Sequence, residues 1–368
     1  MTNSKHHAPP VITDPARARF TEELTKALRA GVDFPAPGPL LAIASMLLDI
    51  AAVASDPAGH IATLVRGLCA WNRPECSAGA LALATLAGDA RLRREVRRDA
   101  AERGHPLPRW LVELPRAEPV ARAIELSTIF RAVDELVVGV TLPGGHSLTA
   151  AVHVDNELGF RAVDGRVSTQ SVDEVVARVV DAADPDVRIR DIPPADARAR
   201  IADALREPDL DTLSDRSTRW RQVRPLVRWL VSVLPAGGDG SVPSVGDDVD
   251  LDDVVAGFLA SPWGRPWVRG GLPELAEAVL GDGLGNGLGD PLLWAPHHVR
   301  RLLDPEGSAL DHDELDTERA PELLRDVIRY GHGERGLRSG LTDDALAAVD
   351  RHAGQFLTAV RAWHDDVA

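Results

Sequence analysis

Residues 144–160, GGHSLTAAVHVDNELGF, gather His146, His153, Asp155, Asn156 and Glu157 around one readable strand. Imidazole and carboxylate are the side chains that bind divalent metals and move protons near neutral pH. Alternation along a strand puts Ser147, Thr149, Ala151, His153 and Asp155 on one face. His146, Leu148, Ala150, Val152 and Val154 take the other, more apolar face, which is expected to meet the core. Two readings follow. His153, Asp155 and Glu157 could hold a divalent metal, or Asp155 could orient His153 as a general base, with His146 or a residue from elsewhere completing the set. Alternatively, Asp155 and Asn156 are turn residues chosen for their side-chain-to-backbone bonds, and His153 is a surface strand residue.

A second candidate is WAPHHVRRLL, where Pro296 opens a helix and places His297 and His298 at its N-terminus. Free amides there could bind an anion, and the helix dipole would lower an imidazole pKa. Adjacent helical residues splay about 100° apart, so a single ion is not expected to use both rings. The glycine-rich GDGLGNGLGD at 281–290 matches neither GxGxxG nor a GK[ST] loop and follows a helical pattern, so it reads as a flexible loop. No GxGxxG opens a helix directly after a strand pattern, so the sequence reads as having no nucleotide-binding motif; GxSxG and HExxH are absent.

Arginines at 91, 93, 94, 97 and 98 share one helical segment, a possible contact for phosphates or an acidic partner. Glu95, Asp99 and Glu102 are interspersed at ion-pairing distance in sequence, so a solvated helix face is the competing reading. RWRQVRPLVRWL mixes Trp220 and Trp229 with arginines, a pattern that suits buried indoles with arginine stems reaching water.

These residues must be positioned by 368 residues that are 44% hydrophobic and 26% charged, enough for more than one packed core. A net charge of −15 disfavours general nucleic-acid binding and an anionic membrane surface. Cys69 and Cys76 lack CxxC spacing and read as buried free thiols, which fits a cytoplasmic protein. The most apolar run, residues 40–54, contains Asp49 and is too short to span a bilayer.

Periodicity divides the chain. Residues 1–13 read as a disordered tail. Helical spacing punctuated by DFPAPGP, SDPAG, NRP and GHPLP predicts an N-terminal helical bundle over 14–120. The period then changes: DELVVGVTL and HSLTAAVHV, joined by Pro143-Gly144-Gly145, predict an antiparallel hairpin, and FRAVDGRVS a third strand. Ser171 and Glu174 form a capping box opening a helix; DVRIRDI is a fourth strand and residues 194–207 a second helix. Residues 121–207 are thus a small antiparallel α+β module with its sheet covered on one face. Residues 208–368 form a C-terminal helical domain with a linker at 235–250. The expected class is α+β, predominantly helical.

Several segments together resemble a family of uncharacterised proteins of high-GC Gram-positive bacteria. They are RGHPLPRWL (103–111), VVGVTLPGGHSLTAAVHVDNELG (137–159), PPADARARIADAL (193–205), VRPLVRWLVSVLP (223–235), FLASPWG (258–264), GDPLLWAPHHV (289–299) and PELLRDVIRYGHGERGL (321–337). The resemblance implies a shared fold and carries no activity. Such proteins typically read Asp-His-Asn-Leu-Gly after the second strand; here it is Asp155-Asn156-Glu157-Leu158-Gly159, without that His.

The reading drawn from these patterns is a cytoplasmic, non-catalytic interaction or adaptor protein with a protein partner or self-association and no membrane. The alternative is a metal-dependent hydrolase or small-ligand-binding enzyme using the His153/Asp155 strand face. Nucleic-acid binding through the Arg-rich helix at 91–98 ranks third.

Overall fold

A computed structural model describes residues 15–157, 159–182, 184–206, 215–242, 244–305, 308–312 and 315–367. The tail expected at 1–13 and the short segment 207–214 lie outside these described residues. The architecture is a helical α+β fold. Six helices come first: α1 (Pro15–Asp33), α2 (Gly38–Ala52), α3 (Pro57–Ala70), α4 (Pro74–Leu86), α5 (Ala90–Glu102) and the short α6 (Arg109–Val112). The proline-marked breaks read from the sequence fall between them, with proline in the first turn of α2, α3 and α4. Asp56 and Asp89 cap α3 and α5 by accepting backbone N–H bonds.

The sheet comprises β1 (Glu118–Pro119), β2 (Ala123–Thr128), β3 (Val133–Leu142), β4 (His146–Asp155), β5 (Arg161–Ser168) and, after α7 (Val172–Asp181), β6 (Val187–Ile192). Every pairing is antiparallel, in the order β5-β4-β3-β2-β6, with β1 on β3. The Pro-Gly-Gly turn sets the hairpin register, Leu142 opposite His146 and Glu135 opposite His153. Gly144 and Gly145 supply its positive φ angles of 95° and 81°. Ser171 and Glu174 make the reciprocal capping box that starts α7.

The sheet is covered on both faces, not one. Leu136, Val138, Leu148, Ala150 and Val152 point into a large core shared with α8 (Pro194–Ala204) and α9 (Asp215–Val233), and with the N-terminal helices. On the other face, Ile124, Val137 and Ala151 meet Val172, Val175 and Val176 of α7. α9 lies against α2 and β5, where Trp220 is fully buried over Gly165. A Cβ on Gly165 would sit 2.5 Å from the indole, so the close approach of strand to helix requires glycine.

A second core organises α10 (Leu251–Ala260), α11 (Leu272–Gly283), α12 (Pro296–Leu302), α13 (Ala320–Glu334) and α14 (Ser339–Val367), with Phe258, Trp267, Trp294 and Phe356 at its centre. Polar contacts join this C-terminal unit to the sheet, among them the Arg338–Asp186 ion pair. No helix among the described residues is long and apolar enough to cross a membrane.

Between sheet and α8 lies a buried ion cluster. Arg200 of α8, 6% exposed, reaches both Glu125 of β2 and Asp134 of β3. Arg131 and Arg190 close the cluster from the edges. Burial pushes the Glu125 carboxyl up, but the surrounding guanidiniums outweigh it and hold it below the usual range.

Candidate functional site

The sequence candidates separate in space. His146 is half-buried at the start of β4, about 23 Å of strand rise from His153, and cannot join a site with it. His153 lies on the α7 face, where its Nε2 is 3.6 Å from Glu135 of the neighbouring strand. Arg166 of β5 approaches the same carboxylate at 2.5 Å. Burial raises the Glu135 pKa, and the His153 and Arg166 contacts more than reverse it. Asp155 Oδ1 accepts from the Glu157 amide at 2.9 Å, and Asn156 Nδ2 donates to the Arg131 carbonyl at 2.8 Å. Both are turn residues bonded to backbone, as the second reading of this segment holds. The grouping of His153, Asp155 and Glu157 as metal ligands does not form among the described residues: Glu157 lies past the end of β4 and its carboxylate meets α12.

Glu157 instead meets His297 and His298. Among the described residues these three are the one set of metal-ligating side chains whose donor atoms lie within 4.8 Å of one another. His298 Nε2 is in very close contact with Glu157 Oε1, and His297 Nε2 lies 3.3 Å from the same oxygen. The two rings stand 3.9 Å apart, so both imidazoles do converge on one anion, contrary to the splay expected of adjacent helical residues. That anion is the chain's own carboxylate.

The rest of the cluster follows from local folding. Gly287, in the glycine-rich segment, donates its amide to Glu157 Oε1 at 3.0 Å. The segment closes α11 at Gly283 and continues as turns, packed and not a loose loop from Asn286 onward: Asn286 is 1% and Leu288 7% exposed. Gly287 has φ 50°, and a Cβ there would lie 2.1 Å from the Phe130 carbonyl oxygen. Arg301 binds Asn286 Oδ1 at 2.9 Å and lies 3.8 Å from Glu157 Oε2.

Hydrogen bonding determines the His298 tautomer. His298 is the third residue of α12, and its Nδ1 accepts from the Ala295 amide at 3.1 Å, the reaching-back half of a capping box. A neutral ring with Nδ1 accepting carries its proton on Nε2 and donates it to Glu157. Metal ligation through Nε2 would need the opposite tautomer and set two N–H groups against each other at Ala295. His298 is fully buried, and that burial lowers its pKa while Glu157 pulls the other way. For Glu157, burial raises the pKa, but bonds from His297, His298 and Gly287 dominate and hold it far below the carboxylate range. The arrangement is an ionised carboxylate whose Oε1 is engaged by three donors, a latch that ties the β4–β5 turn to α12 and the glycine turns.

A concavity of different chemistry lies between α2, α9 and the β4–β5 edge. It encloses about 660 Å³, within the range of small-molecule sites. Its walls are apolar, among them Ile43, Met46, Leu148, Val167, Val223 and Leu226. Ser45, Gln170 and Gln222 supply uncharged polar groups. No lining residue is ionisable, although 26% of the chain is charged. One wall is opened by Pro225 inside α9. One residue on, the buried Ser45 hydroxyl enters the helix ladder, donating to the Gln222 carbonyl at 2.6 Å and accepting from the Leu226 amide at 3.0 Å. Three distant segments build this cavity, and sequence reasoning missed it; Pro225 within a helical pattern is the local signal that marks the wall. His153's partner was available from counting the hairpin register back from the glycine turn.

The two cysteines are free, Cys76 buried and Cys69 half-buried. Burial pushes the Cys69 thiol up to about 11, which makes it a poor nucleophile at neutral pH. No protein-family model matches this chain, and no curated protein or solved structure matches it.

Proposed function

We propose that the chain is a non-catalytic binding protein of the cytoplasm, and that the uncharged cavity between α2, α9 and β5 takes a small neutral, largely apolar molecule. The observation that carries this reading is the absence of any ionisable side chain from a cavity of about 660 Å³. Apolar walls contribute affinity, and the amides of Gln170 and Gln222 offer orientation. The engagement of Glu157 Oε1 by three donors of its own chain supports the non-catalytic part. Titration with N-phenyl-1-naphthylamine, a neutral dye that brightens in apolar surroundings, tests the reading. One saturable site is expected. Ala42→Trp, at the exposed rim of the cavity, weakens it about tenfold or more, a loss of at least about 1.4 kcal/mol. Unsaturable binding, or equal binding by Ala42→Trp, would overturn it.

A second reading, a divalent-metal centre, is favoured by one observation, the convergence of Glu157, His297 and His298 donor atoms. It requires the His298 tautomer to invert. One equivalent of zinc retained through purification, and lost in His297→Ala, would support it over the latch described above.

A further inference from the structure

Among the N-terminal helices, α4, α5 and the turn after α6 enclose a second concavity of about 550 Å³. Arg93, Arg94 and Arg97 of α5 and Arg116 line it, with Glu113 as the one acidic side chain. Four guanidiniums against one carboxylate leave three positive charges around one depression, in a chain of net charge −15. Glu113 is already engaged, 3.2 Å from Arg109 and 3.9 Å from Arg116. Among the described residues, no carboxylate lies within ion-pair distance of Arg93, Arg94 or Arg97. Arg91 of the same helix, outside the pocket, pairs with Glu95 at 2.9 Å, and Arg103, just beyond the helix, with Asp99 at 2.7 Å.

This arrangement is unfavourable when empty. Arg93 and Arg97 are like charges one helical turn apart, which repel. Arg93 and Arg94 sit in the first half of α5, toward the end where the helix dipole favours anions over cations. The depression also has an apolar floor of Leu81, Val112 and Pro115, against which a non-phosphate portion of a ligand can pack. Converging, unneutralised guanidiniums over an apolar floor match a compact polyanion, because each planar fork can bind phosphate oxygens in pairs.

We infer that the pocket formed by Arg93, Arg94, Arg97 and Arg116 binds a small molecule bearing phosphate or pyrophosphate. This site is separate from the uncharged cavity, and its ligand has the opposite chemistry.

Calorimetric titration of the full chain with sodium pyrophosphate, at fixed ionic strength, tests the inference. Saturable one-to-one binding is expected, weakening as salt rises. The double variant Arg93→Gln/Arg97→Gln loses about tenfold or more in affinity through its missing charge-assisted bonds. Arg91→Gln, whose arginine pairs with Glu95 outside the pocket, binds as wild type does. Without ligand, the double variant melts at or above the wild-type midpoint, because a repulsive pair has been removed. Glycerol 3-phosphate and vesicles of phosphatidylcholine containing phosphatidic acid then separate a free phosphate ester from a lipid headgroup. Absence of saturable pyrophosphate binding, or equal binding by the double variant, overturns the inference. So does tight binding of a single-stranded oligonucleotide without binding of pyrophosphate, which would assign the arginines to an extended nucleic-acid surface.

Discussion

Replacing Glu157 by Gln removes one negative charge while keeping the shape of the side chain. In the native structure its Oε1 accepts from the Gly287 amide at 3.0 Å, from His297 at 3.3 Å and closely from the buried His298. The glutamine carbonyl can retain the Gly287 and His298 bonds, but as neutral ones. Bonds to a charged group contribute about 1.5–3 kcal/mol and neutral ones about 1, so two demoted bonds lower stability by about 2 kcal/mol. His297 is 45% exposed on its side chain and adds little. Glu157→Ala is worse, since it strands the buried His298 Nε2–H and the Gly287 N–H; at about 1–3 kcal/mol each, the loss is about 4 kcal/mol. Acid dependence supplies a second readout. The folded pKa of Glu157 is depressed, so its contribution is present above about pH 4.5, the unfolded value, and falls away as pH drops below it. Glu157→Gln abolishes that component. Urea unfolding at pH 7 and pH 4 measures both effects. Hydrogen exchange localises them, with faster exchange expected in peptides covering 284–300 and unchanged exchange in α4. If Gln and Ala variants match wild type within about 0.3 kcal/mol, the latch account is wrong.

Other consequences are equally concrete. Arg200→Met leaves Glu125 and Asp134 as under-compensated buried carboxylates and should cost about 3–5 kcal/mol in urea unfolding; a loss under about 1 kcal/mol would show that Arg131 and Arg190 suffice. His332 is buried, accepts from the Trp294 amide, and has its pKa lowered by burial to about 4. A base depressed on folding leaves the unfolded chain to take the proton first, so stability falls as pH drops from about 6.5 to about 4, by up to about 3 kcal/mol. His298 works in the same direction, and a flat profile over that window in urea titrations would contradict both. Ser45→Ala lets the α9 ladder close between Leu226 and Gln222, so the expected loss of stability is small, about 1 kcal/mol, while dye affinity for the adjoining cavity falls; unchanged dye affinity would separate the hydroxyl from the cavity's shape.

Local signals carried much of the fold. The β3–β4 hairpin is announced by two β-branched runs around Pro143-Gly144-Gly145, and α7 by Ser171 and Glu174 three residues apart. β2 was harder: AIELST carries Glu125 at its centre, and a charged residue there argues against a buried strand until Arg200 is seen to neutralise it. The second covered face escaped notice because Ile124, Val137 and Ala151 are small in number and their partners on α7 are set by chain crossover, not by periodicity. Glu157, His297 and His298 were each visible as candidates, but their meeting joins residues 140 and 141 positions apart, and nothing local encodes that. The glycine-rich segment illustrates the same limit. Glycine permits mobility, yet here it permits Gly287 to pass against Phe130 and donate to Glu157.

Calorimetric titration of the full chain with a neutral medium-chain alcohol, at two temperatures and two salt concentrations, tests the central claim most directly. A cavity without ionisable walls predicts one site, a negative heat-capacity change from apolar burial, and affinity that does not weaken with salt. Absence of binding, or affinity that falls as salt rises, would contradict the account.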